Sequence, residues 1–367
     1  MKQIIATALL SLSLLFGLTA CSSVRHESGN FSSDDKTNTN TITFTDDCGR
    51  QVLLPEKITG IVPSSTMAQI ILFALAPDLF VGQPSQWHES SRGIIADEYF
   101  DLPVFGSLYN SADLNLEELA LTAPQLIIDI GEPKDSIVED LDTLQNQTQI
   151  PCIFIEADFK SIPEAFRKLG ALLNREDKAE ELASFCERIY NRTLTIMEAV
   201  GEEKVDTLYV LGPSGLNVLA STSYHARILD LLTNNLAVVE HPMGKGTGNE
   251  VTMEQILLWN PDFVLFAPDS IHGQVSELDS WSHVNAIQNG NYIKVPDIPD
   301  NWMGMPPSVQ CYLGLIWLPT QLYPEHCDYD AKTEILEYYR LFYGCSLTEE
   351  QYSRITADAF LPSDIHP

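Results

Sequence analysis

Short apolar runs alternate with amphipathic stretches along the chain from residue 41. The apolar runs are too short for helices and predict buried strands. In the first part of the chain they occupy residues 58–63, 79–82, 126–130 and 150–155. Helical spacing of apolar positions occurs between them at residues 64–76 and 116–121, and Pro124 prevents the second helix from continuing. This alternation predicts a mostly parallel sheet covered on both faces.

The middle of the chain has a different character. Residues 165–200 combine helix-forming residues with sustained helical spacing, and a break near Asn174 leaves one long predicted helix, Glu176–Val200, which Gly201 ends. The strand and helix alternation then resumes. Strands are predicted at residues 205–211, 263–266 and 292–295, and helices at residues 225–232, 253–259 and 310–322, with two more helices between residues 328 and 360.

These patterns predict an α/β fold class with two doubly wound lobes, whose mostly parallel sheets are bridged by a single long α-helix. The N-terminal α/β lobe is expected at residues 42–173, the bridging helix at residues 174–203 and the C-terminal α/β lobe at residues 204–325. A C-terminal helical tail follows at residues 326–367.

One phrase of the sequence occurs in both halves. NLEELALTAPQLII (115–128) is repeated 137 positions later in TMEQILLWNPDFVLF (252–266). The equivalent pairs are Glu117 and Glu254, Leu119 and Ile256, Leu121 and Leu258, and Pro124 and Pro261. The alternative explanation is that helix-proline-strand steps recur in any α/β protein. That explanation accounts well for the matching apolar and proline positions but poorly for the paired glutamates. We interpret the repeat as the same α/β unit in each lobe.

The N-terminus has the pattern of a secretion signal. Lys2 precedes an apolar stretch at residues 4–18, and the stretch ends in LTAC at Cys21. This ending resembles the bacterial lipoprotein signal, which predicts a signal peptide at residues 1–20, lipidation of Cys21 and a flexible tether at residues 21–41. The alternative is an ordinary signal peptide cleaved nearby. Either places the protein outside the cytoplasm, and the lipid would anchor it to the membrane.

Composition excludes several classes of partner and site. The 367 residues include 21 Lys and Arg against 51 Asp and Glu, a formal charge of −30, and no basic cluster of the kind that nucleic acid requires. The six cysteines after Cys21 show no CxxC spacing, and their pairing is left open. No shared histidine spacing or catalytic triad is present, so neither a metal site nor a cofactor is expected.

Four segments carry a resemblance to a known family. They are TFTDDCGRQVLLPEKITGIV (43–62), GSLYNSADLNLEELALTAPQLII (106–128), VTMEQILLWNPDFVLF (251–266) and WMGMPPSVQCYLGLIWLPTQLYP (302–324). Because these four segments occur in this order, the chain resembles the substrate-binding lipoproteins of ABC importers for ferric siderophores, haem and cobalamin. The resemblance implies a monomer that is not an enzyme, binds a metal chelate or tetrapyrrole and delivers it to a permease dimer in the membrane.

The resemblance also implies a role for the repeated glutamates. In that family one surface glutamate on each lobe docks into a basic pocket of the permease, and Glu117 and Glu254 occupy the matching positions. Two carboxylates on separate lobes would orient the protein on a two-fold partner. The alternative is that both are solvated carboxylates at helix starts, which the helix dipole favours.

A ligand is expected at the carboxyl ends of the strands, where doubly wound sheets bind their ligands. Hydroxyls and amides after the first strand can hold an anionic group, although the same residues also serve as ordinary helix caps. Aromatic side chains can stack on a planar chelate. The candidate ligand contacts are Ser64, Ser65, Thr66, Trp87, Tyr109, Gly131, Ser223, Tyr224, Lys245 and Trp302. Trp259 and Trp317 fit helical apolar faces and are expected in the core.

The sequence leaves two other functions open. The same fold could bind an oxyanion such as molybdate or tungstate through the amides at residues 64–66. An extracytoplasmic enzyme with a doubled α/β fold is the third possibility. It would require converging catalytic groups, and the sequence indicates none.

Overall fold

A computed structural model describes residues 40–107, 114–244 and 246–362. Its N-terminal lobe begins with an antiparallel hairpin of β1 (Thr41–Thr45) and β2 (Gln51–Pro55). Three parallel strands follow in the order β3 (Ile61–Pro63), β4 (Leu126–Gly131) and β5 (Cys152–Glu156). The helices of this lobe are α1 (Thr66–Leu75), α2 (Leu116–Thr122), α3 (Ile137–Thr148) and α4 (Ile162–Leu173).

A 25-residue helix, α5 (Glu176–Val200), leads from this lobe to the next. It packs closely against α4 at Gly170, where an added Cβ atom would lie 2.3 Å from the Cβ of Ala179. Gly201 follows the helix with a φ of 58°, a conformation that glycine adopts without strain. The single long helix predicted from the sequence is confirmed.

The C-terminal lobe contains a mixed sheet. Its strands are β6 (Asp206–Leu211), β7 (Asn217–Val218), β8 (Asn234–Asn235), β9 (Asn249–Glu250), β10 (Phe263–Phe266) and β11 (Tyr292–Lys294). The order is β11-β10-β6-β7-β9, with β8 also paired to β6. Only the β6–β7 and β7–β9 pairs are antiparallel. The helices are α6 (Arg227–Leu232), α7 (Met253–Trp259), α8 (Asn285–Asn289) and α9 (Cys311–Leu322).

The C-terminal tail contributes α10 (Ala331–Phe342) and α11 (Glu349–Ile355). It contacts both lobes. The side-chain amide of Gln351 donates to the carbonyl of Gly93 in the N-terminal lobe at 2.8 Å. The indole of Trp317, on α9 of the C-terminal lobe, donates to the carbonyl of Ala359 at 2.6 Å. Within the described residues, no helix is both long enough and apolar enough to cross a membrane.

The largest hydrophobic core is shared by the whole fold. It includes Ile128 and Phe166 from the N-terminal lobe, Leu182 from α5, Leu265 from the C-terminal lobe and Tyr338 from α10. Each lobe also has a smaller hydrophobic cluster, on the face of its sheet opposite the shared core. All six residues of β4 are buried, as expected for a strand with elements packed on both faces.

The fold class predicted from the sequence is confirmed, with local corrections. The strand expected at residues 79–82 is only a single bridge between Ile61 and Phe80, because Pro77–Leu79 forms a 3₁₀ turn. The first helix is shorter than predicted and begins at Thr66, since Ser65 caps it by accepting a hydrogen bond from the amide of Ala68. Helix α3 and the β1–β2 hairpin were not predicted.

Candidate functional site

The two lobes meet around Met67, in the first turn of α1. The hydroxyl of Tyr224 lies 3.7 Å from the Met67 sulfur, and the hydroxyl of Ser308 donates to the Met67 carbonyl at 3.1 Å. Met67 belongs to the N-terminal lobe, whereas Tyr224 and Ser308 belong to the C-terminal lobe. The carboxyl ends of β3, β4 and β5 therefore face the C-terminal lobe across a cleft.

Two cavities occupy this cleft. The larger measures about 380 Å³ and is lined by Ser65, Met67, Asp129, Ile130, Gly131, Glu132, Pro133, Lys134, Phe154 and Tyr224. The smaller measures about 30 Å³, and its lining includes Met67, Asp158, Tyr224, His225, Arg227 and Cys311. Met67 and Tyr224 line both cavities. Residues of both lobes therefore enclose each of them.

An ion pair crosses the cleft between the two cavities. The guanidinium of Arg227, on the C-terminal lobe, donates to the carboxylate of Glu132, which directly follows β4. Each side chain is 34% exposed. The guanidinium also lies 4.9 Å from the ring centroid of Tyr224. Its hydrogen bond with Glu132 raises the pKa of Arg227. Arg227 thus presents a permanent positive charge at the junction of the lobes.

A buried carboxylic acid lies on the wall of the larger cavity. Asp129 in β4 is only 2% exposed and accepts a hydrogen bond from the hydroxyl of Ser64. Burial raises the pKa of Asp129 to about 6, and the Ser64 hydrogen bond limits the rise. Ser64, predicted as a ligand contact, is itself fully buried and holds Asp129 in place.

Two further titratable groups line the smaller cavity. Burial would raise the pKa of Asp158, but hydrogen bonds from the amides of Ser161 and Lys160 outweigh it, so the pKa is lowered. Burial lowers the pKa of His225, whose Nδ1 lies 3.4 Å from the carbonyl oxygen of Gly304. At neutral pH the cavity therefore combines an anionic Asp158, a neutral His225 and the cationic Arg227.

Three of the predicted ligand contacts line the larger cavity: Ser65, Gly131 and Tyr224. Thr66 is half-buried and hydrogen-bonded to Ser85 at 3.1 Å, so its hydroxyl is used within the N-terminal lobe. Tyr109 and Lys245 lie outside the described residues.

Trp87, Trp302 and Ser223, also predicted as ligand contacts, line neither cavity of the cleft. Trp87 is 5% exposed and packs edge-on against Phe73, with ring centroids 4.9 Å apart. Trp302 is fully buried against Trp317, at 5.9 Å between centroids. Ser223 is buried as well, with 5% exposure. A large indole gains more from a packed core than from a solvated loop, so neither tryptophan presents a face to the cleft.

Sequence reasoning missed the charged pair that marks the cleft. Arg227 carries one signal that could have identified it, since no other Lys or Arg occurs between Lys204 and Lys245. Glu132 follows the predicted strand that ends at Gly131, where charged side chains commonly serve a site. The role of Met67 has no such signal, because a methionine in the first turn of an apolar helix is typical of core packing.

The repeated phrase adopts the same local structure in both lobes. Asn115 and Thr252 cap α2 and α7 by accepting from the amides of Glu118 and Gln255. Glu117 and Glu254 are both exposed in the first turn. Hydrogen bonds from its own backbone amide and from Thr252 lower the pKa of Glu254.

The described residues contain no group of three or more His, Cys, Asp and Glu side chains placed to hold a metal ion. The six cysteines within the described residues are unpaired thiols, which answers the pairing question for this structure. Burial raises the pKa of the Cys311 thiol, next to the smaller cavity, to about 12, so it is protonated at neutral pH.

A family model described as periplasmic binding protein matches residues 97–299. The chain belongs to the periplasmic binding protein family. No curated protein sequence matches the chain. An ABC transporter solute binding protein from Sulfurospirillum deleyianum has a similar structure, with a TM-score of 0.77 and 25% identity over 85% of this chain and 98% of that chain.

Two further solved structures share the fold. A molybdate-binding protein from Haemophilus influenzae, MolA, aligns with a TM-score of 0.66 and 21% identity over 84% of this chain and 99% of that one. A catecholate-siderophore binding protein from Vibrio cholerae, VctP, aligns with a TM-score of 0.54 and 18% identity over 75% and 99%.

Membership confirms the resemblance read from the sequence. Proteins of this family are substrate-binding components of ABC transporters rather than enzymes, and they bind small ligands and work with a permease. The family also implies a location outside the cytoplasm.

Proposed function

We propose that this protein captures a ferric siderophore, or a related metal chelate or tetrapyrrole, between its lobes and delivers it to an ABC permease. The cleft carries the proposal. Its larger cavity, about 380 Å³, falls within the range of about 300–1,000 Å³ typical of small-molecule sites. Two residues of its lining, Tyr224 and Glu132, contact Arg227, whose guanidinium lies 4.9 Å from the centroid of the Tyr224 ring. A cation beside an aromatic face suits an anionic, partly planar chelate.

Capture would exchange one partner of Arg227 for another. In the structure the guanidinium is paired with the carboxylate of Glu132. An anionic group of the ligand would take the place of that carboxylate, and the planar guanidinium can bind it through two parallel hydrogen bonds. Lys134, which lines the larger cavity, adds a second cation to the cleft. Ligands that carry negative charge are therefore favoured over neutral ones.

An oxyanion is the alternative cargo. MolA from Haemophilus influenzae, which shares this fold, was solved with molybdate bound. Ser65, at the amino end of α1, lines the larger cavity, and the amides of a helix start suit an oxyanion. The size of the cavity argues for the larger cargo. The volume of a four-oxygen anion is comparable to that of a few water molecules, at about 30 Å³ each, and is much smaller than the cavity.

Docking and anchoring complete the proposal. Glu117 and Glu254 would each enter a basic pocket of the permease dimer, and lipidated Cys21 would hold the protein at the membrane. The anchor has a simple test. Cys21→Ser should move the protein from the membrane fraction into the soluble extracytoplasmic fraction, whereas retention in the membrane fraction would contradict lipidation at this residue.

A thermal-shift panel tests the cargo. The chain from residue 22 onward would be screened against ferric hydroxamates, ferric catecholates, ferric citrate, haemin, cobalamin, molybdate and tungstate. A ligand present at 1,000 times its Kd stabilises the folded state by about 4 kcal/mol, which gives a clear shift of Tm. We expect that shift with one chelate or tetrapyrrole. A shift with molybdate or tungstate alone would establish the alternative, and a flat response to all seven would contradict both cargo proposals.

A further inference from the structure

Helices α2 and α7 present equivalent surfaces on the two lobes. Each is seven residues long and ends at a residue in the left-handed conformation, Ala123 with a φ of 45° and Asn260 with a φ of 46°. A proline follows each of these residues, and then a strand that is paired on both sides. The sequence repeat is therefore also a structural repeat.

Burial alternates in the same way along both helices. Leu119 and Ile256 are fully buried and attach the helices to their lobes. Two positions later, Leu121 and Leu258 are 79% and 78% exposed, the highest values among the large hydrophobic side chains of the described residues. Isolated exposed leucines are ordinary on protein surfaces. Two at equivalent positions of a repeat, at nearly the same exposure, indicate a shared use.

Each exposed leucine accompanies a candidate docking glutamate. Glu117 and Leu121 are four residues apart on α2, as are Glu254 and Leu258 on α7, so each pair lies on one face of its helix. Leu257 on α7 is also 37% exposed and extends the apolar surface. Each lobe thus presents a carboxylate and an apolar side chain together, which fits a socket with a basic residue beside an apolar depression.

We propose that Leu121 and Leu258 are the apolar anchors by which the protein docks on the two membrane subunits of its ABC permease. This inference rests on the proposed function. The glutamates would set the orientation of the docked protein, and packing of the leucines would supply affinity. Two equivalent patches on one chain require a partner with two equivalent sockets, which a two-fold permease dimer provides.

Other occupants fit the surface less well. An anionic lipid surface would be repelled by Glu117 and Glu254 and by the formal charge of −30. A second copy of this chain would bring like carboxylates together beside the leucines, which is unfavourable.

Photo-crosslinking in the bacterium that makes the protein tests the proposal. A photo-activatable amino acid would replace Ala120, which is exposed on α2 beside Leu121. The captured partner would be identified by mass spectrometry. The Leu121→Ser/Leu258→Ser double variant should lower the yield of permease crosslink by about tenfold or more, the loss expected when buried leucines are removed from an interface. Leu53→Ser/Leu194→Ser, which changes two exposed leucines elsewhere, should keep it within about twofold.

The outcomes separate this inference from the function on which it rests. If position 120 captures the permease and the double variant leaves the yield unchanged, the anchoring role is wrong and the transport function stands. If position 120 captures only lipid or another copy of this chain, permease docking through this surface is contradicted. If position 120 captures no partner, permease docking through this surface is contradicted as well, whereas the transport function is tested separately by the ligand panel. An unchanged ligand-induced Tm shift in the double variant confirms that its cleft is intact.

Discussion

At the scale of single residues, the cleft is defined by a charge pair rather than by aromatic side chains. Arg227 and Glu132 are about one-third exposed, and ion pairs with that exposure contribute only about 0–1 kcal/mol to stability. The pair therefore adds little to holding the lobes together. Its importance is electrostatic, because an arginine at the junction of two cavities attracts any anionic group that can compete with Glu132.

Arg227→Ala should weaken binding of the anionic cargo by about tenfold to a hundredfold. That loss corresponds to removing a charged hydrogen bond worth about 1.5–3 kcal/mol. Quenching of tryptophan fluorescence during titration with the ligand found in the panel would measure it. Arg188→Ala, which removes an exposed arginine on α5, is the matched control and should leave affinity unchanged. Equal affinities for both variants would remove Arg227 from the ligand site.

Glu132→Gln should act in the opposite direction. The neutral amide competes less well for the Arg227 guanidinium, so an anionic ligand displaces it more easily. We expect a several-fold lower Kd, on the scale of the about 0–1 kcal/mol assigned to such pairs. Weaker binding in this variant would instead indicate that Glu132 contacts the ligand directly.

Asp129 should make stability depend on pH. Its folded-state pKa of about 6 is above its ordinary value of 3.8, so the folded protein binds more protons than the unfolded chain between these pH values. This residue therefore stabilises the fold more below pH 4 than above pH 6, with a total difference of about 3 kcal/mol. Asp129→Asn removes the titration. Relative to the natural protein, its free energy of unfolding in urea should rise from pH 4 to pH 7, and parallel profiles would contradict the shift.

At the scale of elements, the contact between α4 and α5 depends on the absence of a side chain. An added Cβ atom at Gly170 would lie 2.3 Å from Ala179 Cβ and 3.3 Å from the Arg175 carbonyl oxygen. Neither neighbour can move without shifting a helix. The close approach sets the angle at which the long helix leaves the N-terminal lobe.

Gly170→Val should therefore destabilise the protein by about 2 kcal/mol or more, since overpacking typically costs about 1–3 kcal/mol and here the helices must separate. Chemical denaturation would measure the change. Gly273→Val is the matched control, because no atom lies within 4 Å of a Cβ atom added there. A loss of stability at Gly273 as large as that at Gly170 would show that the effect is not steric.

The elements were the part of the structure most open to prediction. The continuous apolar run of β4 predicts a buried strand, and the long helical spacing of apolar residues in α5 predicts a helix. In both, the pattern of apolar positions within the element is sufficient for the prediction. The cleft depends on how distant loops meet. Trp302 and Arg227 lie in the same lobe, yet Trp302 is buried and Arg227 reaches the cleft. The packing of α6 and α9 determines which of these side chains reaches the cleft. The exposure of the Leu121 side chain could likewise not be predicted from the helical spacing of apolar residues in α2.

At the scale of the whole molecule, the C-terminal tail ties the lobes together. Arg188 and Arg192 of α5 both pair with Glu334 of α10, at 2.7 and 2.8 Å. Lys294 of the C-terminal lobe pairs with Asp358 at 3.2 Å. Because the tail joins the shared core, the lobes are held at a fixed separation. We expect a binding protein that closes only slightly on its ligand.

Removal of residues 344–367 tests this arrangement. The deletion takes away Ile355 and Ala359, which are 4% and 0% exposed in the shared core, and the hydrogen bond from Gln351 to Gly93. Loss of a buried isoleucine side chain alone costs about 2–5 kcal/mol, so Tm should fall by several degrees. The cleft residues are untouched, and ligand affinity should stay within about threefold of the full chain. Deletion of residues 363–367 controls for shortening the chain. If affinity falls together with Tm, the tail shapes the binding site as well as stabilising the fold, and the cleft is less rigid than the shared core implies.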